Sequence, residues 1–145
     1  MLVNSRLLEA YKNSEVISFD SNSKFIIMSD CHRGQGNNGD NFLYNQKIFF
    51  SALEYYYNSG FTYIELGDGD ELWENRKIEP IINAHSDVFW LMSKLYNENR
   101  FYMLYGNHDI VKRNEGYMNK NCNDYYYDGA RYHVPLFPNI KVHEG

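Results

Sequence analysis

Three short blocks of this chain carry oxygen and nitrogen donors at ligand spacing: Ser29-Asp30-Cys31-His32, Gly67-Asp68-Gly69-Asp70-Glu71 and Gly106-Asn107-His108-Asp109. Carboxylates, imidazoles and an amide oxygen together suit Mn, Fe, Zn or Mg, and the donor types alone do not choose among them. Each block follows an apolar run that reads as a strand: Phe25-Ile26-Ile27-Met28, Tyr63-Ile64-Glu65-Leu66 and Phe101-Tyr102-Met103-Leu104-Tyr105. In open α/β sheets the carboxyl ends of the strands are where ligands bind. The three blocks are therefore expected to converge as one metal site. Taken singly, each is explained as well by a Gly-Asp or Gly-Asn turn followed by a capping Asp. That alternative leaves His108 without a purpose.

The order Asp-x-His, Gly-Asp-x-x-Glu, Gly-Asn-His-Asp resembles the calcineurin-like metallophosphoesterase superfamily, over roughly residues 24–111. The form Gly67-Asp68-x-x-Glu71-x-Trp73 is similar to the bacterial branch that includes UDP-2,3-diacylglucosamine pyrophosphatases. The Gly-Asp-x-Val-Asp-Arg-Gly block of Ser/Thr protein phosphatases is absent, and Glu71 stands where purple acid phosphatases carry a tyrosine. The resemblance implies hydrolysis of a phosphoester or pyrophosphate bond by a hydroxide bridging two divalent ions, manganese ahead of iron, zinc or magnesium. It makes Asp30 and His32 ligands of the first ion, Asp68 the bridge, and Asn107 a ligand of the second that also meets the substrate. His108 would protonate the leaving oxygen or stabilise the transition state. Asp109 is expected to fix the tautomer of His108, Glu71 to orient a ligand or a loop N–H, and Asp70 to lie outside the ligand set or in solvent. Arg33 and Arg76 are candidate substrate contacts, since a guanidinium can hold phosphate bidentately. Trp73 is expected to pack under the metal loop, with stacking on a nucleobase as the alternative. The substrate would be a phosphorylated small molecule or a lipid-linked one. Two rivals stand beside this reading: a non-catalytic metal-binding interaction module on the same fold, and a Ser/Thr protein phosphatase.

The elements that must position these residues alternate. A leading helix over Leu2, Leu7, Leu8 and Tyr11 is expected to end near Asn13. A strand at 24–29, continuously apolar, should be buried on both faces. Asp40 or Asn41 could cap a helix carrying Phe42, Leu43, Ile48, Phe49, Leu53 and Tyr56, stopped by Gly60. A strand at 61–66 follows. Pro80 then opens one helix over 81–97, with His85 as a core histidine on its apolar face. After a strand at 101–105 the pattern weakens to a helical piece near 110–119 and a strand starting at 139–143. The class is α/β, read as the N-terminal β-α-β-α-β part of a two-sheet metallophosphoesterase sandwich with a parallel sheet. The family's later Gly-His-x-His-like block does not occur, so residues 1–145 read as one metallophosphoesterase domain incomplete at its C-terminus. Such a sheet should leave an open edge and an uncovered apolar face. His133 and His143 are the histidines after the third block; both are expected to be structural, with His143 the candidate stand-in ligand.

Composition narrows the partners. A formal charge of −5 argues against a basic nucleic-acid-binding face. Two divalent ions would add about +4 locally, so an acidic chain can still attract phosphate. Cys31 and Cys122 make no disulfide framework, and Cys31 reads as a buried thiol. No run is long enough to span a bilayer and the N-terminus lacks a secretory apolar core, so a cytoplasmic protein is the simplest expectation.

Overall fold

The computed structural model describes residues 2–114, 116–117, 126–127, 130–131 and 140–144. It is mixed α/β. Strands β2 (Phe25–Met28), β3 (Thr62–Leu66) and β4 (Phe101–Leu104) form a parallel sheet in that order. The register aligns Ile27 with Ile64 and Tyr102, and Met28 with Glu65 and Met103. Parallel neighbours need a crossover. Helix α2 (Gln46–Asn58) supplies the first, and α3 (Glu79–Ala84) with α4 (Ser86–Asn97) the second. Consecutive crossovers of one hand stack on one face; accordingly α2 and α4 pack on each other and on β3 and β4. Apolar residues at helical spacing in α4, namely Val88, Leu91, Met92 and Leu95, meet Tyr63, Phe101 and Met103 of the sheet and Leu53 of α2.

Ahead of this unit lie α1 (Leu2–Lys12) and β1 (Glu15–Phe19). β1 pairs in parallel with β7 (Ile140–Glu144), Ile17 opposite Val142. A short antiparallel pair, β5 (Tyr126–Tyr127) and β6 (Ala130–Arg131), precedes β7. Where a helical piece was expected near 110–119, Ile110–Arg113 form a 3-10 turn and residues 116–117 are helical, while 118–119 lie outside the described residues.

Several expectations are corrected. The β2 strand is not buried on both faces: Ile26 and Met28 pack toward the helices, while Ile27 is 55 % exposed. Leu66, on the same sheet face by register, is 51 % exposed. The helix after the first motif starts at Gln46, because Asp40 closes a turn instead: its carboxylate accepts from the N–H groups of Gly36, Phe42 and Leu43. The helix expected over 81–97 is two helices broken at His85, which has φ −121° and ψ 37°. That break turns the imidazole inward. Nε2 lies 2.6 Å from Asp40 and Nδ1 3.0 Å from Gln46, and the side chain is fully buried, as a core histidine should be. The sequence reading contained no β1. His133 and the side chain of His143 fall outside the described residues.

Candidate metal centre

The loops leaving β2 and β3 run side by side and continue the sheet's pairing. Asp30 N–H donates to Gly67 O, His32 N–H to Asp68 O, and Arg33 N–H to Gly69 O. Glu71 N–H returns to Arg33 O at 2.9 Å. This pairing holds Asp30, His32 and Asp68 at φ 54°, 48° and 51°. The left-handed region costs a non-glycine residue roughly 1–3 kcal/mol, and Asp and His tolerate it better than most. The third loop closes on the second: His108 N–H donates to Asp68 Oδ1 at 2.8 Å. Gly106 permits the approach, since a Cβ there would run into the Asp68 carboxylate.

Donor atoms of Asp30, His32 and Asp68 consequently lie within 4.8 Å of one another, and so do those of His32, Glu71 and His108. His32 belongs to both groups. Its Nε2 is 3.7 Å from Asp30 Oδ1 and its Nδ1 is 3.1 Å from Glu71 Oε2. The same Glu71 oxygen takes His108 Nδ1 at 2.7 Å. An ionised carboxylate only accepts, so each ring must carry a proton on Nδ1, and in its neutral form each then presents a bare Nε2. Burial alone would raise the Glu71 carboxyl, but hydrogen bonds from His108 and His32 outweigh it and hold the group below the ordinary glutamate range. Glu71 thus does what the sequence reading gave to Asp109. Asp109 is fully buried and faces away: Oδ1 accepts from Gly106 N–H at 2.7 Å and Asp68 N–H at 3.3 Å. Asn107 is exposed between Gly106 and His108.

Beneath the donors lies a buried layer of charge. Arg33 is wholly buried. It pairs bidentately with Glu65, at 2.6 and 2.8 Å, and donates through Nε to Asp70 at 2.7 Å. Its expected phosphate contact is thereby corrected, since every guanidinium nitrogen already faces a carboxylate inside the core. Asp70 is equally buried, with Lys112 Nζ 2.7 Å from its second oxygen. Lys112 also reaches Asp109 at 2.8 Å. Burial would raise Asp70, but Arg33 and Lys112 prevail and hold it well below the usual carboxylate range. Lys112 is raised in turn, Asp70 and Asp109 overcoming its burial. Gly69 makes room for this layer, because a Cβ there would strike the Arg33–Glu65 pair.

A cavity of about 490 Å³ adjoins the donors, walled by Asp30, Cys31, His32, Asn41, Asn45 and Phe49 among others. Burial pushes the Cys31 thiol up to about 12, so it is no nucleophile at neutral pH. On the other side of the histidines Trp73 is 66 % exposed, its ring 4.3 Å from that of His108. Trp73 therefore does not pack under the loop. Arg76 is exposed on the segment before α3.

No family model, curated protein or solved structure matches this chain. The site stands on its residues. Sequence reasoning missed Lys112, and the buried Arg33–Glu65 pair, because neither has a local signature. The one available sign was a glutamate, Glu65, in the middle of a strand whose neighbours are apolar.

Proposed function

We propose that this chain is a metal-dependent phosphoester hydrolase of the calcineurin-like kind, its parallel sheet one layer of that family's sandwich. The observation that carries the reading is the convergence of Asp30, His32 and Asp68 from two loops, with His108 presented beside them from a third. The donors fit divalent ions: two carboxylates and a bare imidazole nitrogen are hard-to-borderline ligands, and Asn107 adds an amide oxygen at the edge. Asp30, His32 Nε2 and Asp68 would hold one ion, and Asp68 with Asn107 a second. Bound ions would supply a nucleophile at neutral pH and neutralise charge on the phosphoryl oxygens.

The chain's own residues do the rest. Glu71 fixes both imidazoles with Nε2 outward. His108 Nε2 can then exchange a proton with the oxygen of a departing alcohol, working as acid once protonated. With Arg33 withdrawn into the core, the cavity walled by Asn41, Asn45 and Phe49 offers a neutral surface for the organic part of the ester. The phosphoryl group would be left to the ions.

Titration with Mn²⁺ by calorimetry, alongside hydrolysis of bis-p-nitrophenyl phosphate and p-nitrophenyl phosphate, tests this. Asp68→Asn is expected to weaken metal binding and abolish turnover. His108→Ala should retain metal and lose about 10²–10⁴-fold in kcat. Tight metal binding with no hydrolysis of any ester would favour the non-catalytic module instead. If His108→Ala strips the metal while Asp68→Asn keeps it, the two roles are reversed.

A further inference from the structure

Lys112 lies on no motif, yet it is 2 % exposed and bonded to carboxylates from two of the three motif loops. The chain of contacts above it is short. Lys112 Nζ holds Asp109 Oδ2 at 2.8 Å. Asp109 Oδ1 holds the N–H groups of Gly106 and Asp68. Asp68 Oδ1 holds the N–H of His108 at 2.8 Å. Asp70, the other partner of Lys112, is tied through Arg33 to the first loop. A buried ammonium between two carboxylates has few orientations that satisfy both, so it fixes where Asp109 stands. Asp109 in turn fixes the left-handed turn at Asp68.

We propose that Lys112 is a positioning residue for the donor cluster: it sets, through Asp109, the separation of Asp68 from His108 and hence the fit of the cluster to its ions. The part of this that concerns ions rests on the metal reading above; the part that concerns the Asp68–Gly106 turn does not. Outer partners of metal ligands are worth about 10- to 100-fold in metal affinity when removed, which sets the size of effect expected.

The test uses the whole chain, with two readouts. Amide hydrogen exchange in the metal-free protein reports the N–H groups of Asp68 and Gly106 against core amides of α4. Calorimetry reports Mn²⁺ affinity. Lys112→Met is expected to speed exchange at Asp68 and Gly106 beyond any change in the core, and to weaken Mn²⁺ about 10- to 100-fold. Asp109→Asn added to it leaves an amide oxygen that can accept both N–H groups without a cation, so the double variant should move back toward wild type. Leu53→Ala, a cavity in the α2 core at a residue outside the Lys112–Asp109–Asp68 chain of contacts, should lower the melting temperature without that selective loosening. If Lys112→Met does not fold, Lys112→Arg keeps the buried charge but not the ammonium's geometry, and the same selective loosening is expected of it. Exchange that rises at Asp68 and Gly106 only in step with the core, as in Leu53→Ala, would overturn the proposal. Selective loosening in a protein that binds no Mn²⁺ would leave Lys112 as assigned and remove the metal reading.

Discussion

Two histidines rest their Nδ1 atoms on one oxygen of Glu71, and this decides what each can offer. Under the proposed function a bare Nε2 would serve as a ligand on His32 and a proton relay on His108, but only while Glu71 holds the tautomers. Glu71→Ala should release both rings. Long-range ¹H–¹⁵N spectra of the metal-free protein should show Nδ1-protonated rings in the parent and mixed tautomers in the variant. An unchanged pattern would mean that other contacts fix the rings. Turnover should fall about 10- to 100-fold, the range for an orienting carboxylate. Gly106→Ala is predicted to do more damage than a methyl group suggests, since the Cβ would displace the Asp68 carboxylate. Calorimetry should show Mn²⁺ affinity falling, and affinity equal to the parent's would count against the close packing. Here the sequence was legible in part. Spacing was enough to gather Asp30, His32 and Asp68, because loop ends on adjacent parallel strands must meet. It misdirected the partner of His108. Asp109 is adjacent in the chain, yet the turn points its carboxylate at Gly106 and Lys112, while Glu71 arrives from another loop.

The elements show the same division between local and distant causes. Strands β2, β3 and β4, the crossover helices and the stop near Gly60 were readable because each is specified by its own residues. Strand β1 was not, since it needs a partner about 125 residues away: Glu15 pairs with Ile140. Nor was the break between α3 and α4. Helical spacing runs straight through it, while the contacts that the break gives His85, to buried Asp40 and half-buried Gln46, come from a distant loop and helix. His85→Leu would leave the buried Asp40 carboxylate without its imidazole. A loss of about 1.5–3 kcal/mol is expected, the range for a hydrogen bond to a charged group, read from urea unfolding. A loss under about 0.5 kcal/mol, the level of a neutral surface change, would show that the break is set by something else.

At the scale of the molecule, Arg33, Glu65, Asp70, Asp109 and Lys112 place five charges in the core within one network. Its pH dependence has a definite sign. Asp70 is depressed below the ordinary aspartate value near 3.8, so its contribution is fully present above about pH 4 and is lost as pH falls through the lower folded-state value. Urea midpoints should thus show no Asp70 contribution to any slope between pH 7 and 5, and a steep acid limb below pH 4 that Asp70→Asn flattens. An acid limb of equal slope in that variant would refute the linkage. The sheet face carrying Ile27 and Leu66 was anticipated only as a general property of a short parallel sheet; which residues it exposes depends on the register. One last consequence concerns Asp30, whose backbone is left-handed while its side chain is largely in solvent and stands near a second acid, Asp68. Its carboxylate gains an exposed hydrogen bond from the Ser29 hydroxyl and a 3.7 Å approach to His32, and exposed contacts of this kind offset little of the backbone cost. Asp30→Gly should relax the turn and raise the melting temperature of the metal-free chain, with a gain of about 1 kcal/mol, even as it removes a donor. Robustness and purpose therefore pull on this loop in opposite directions, and a lineage selected for sturdiness alone would be expected to lose the site first at Asp30.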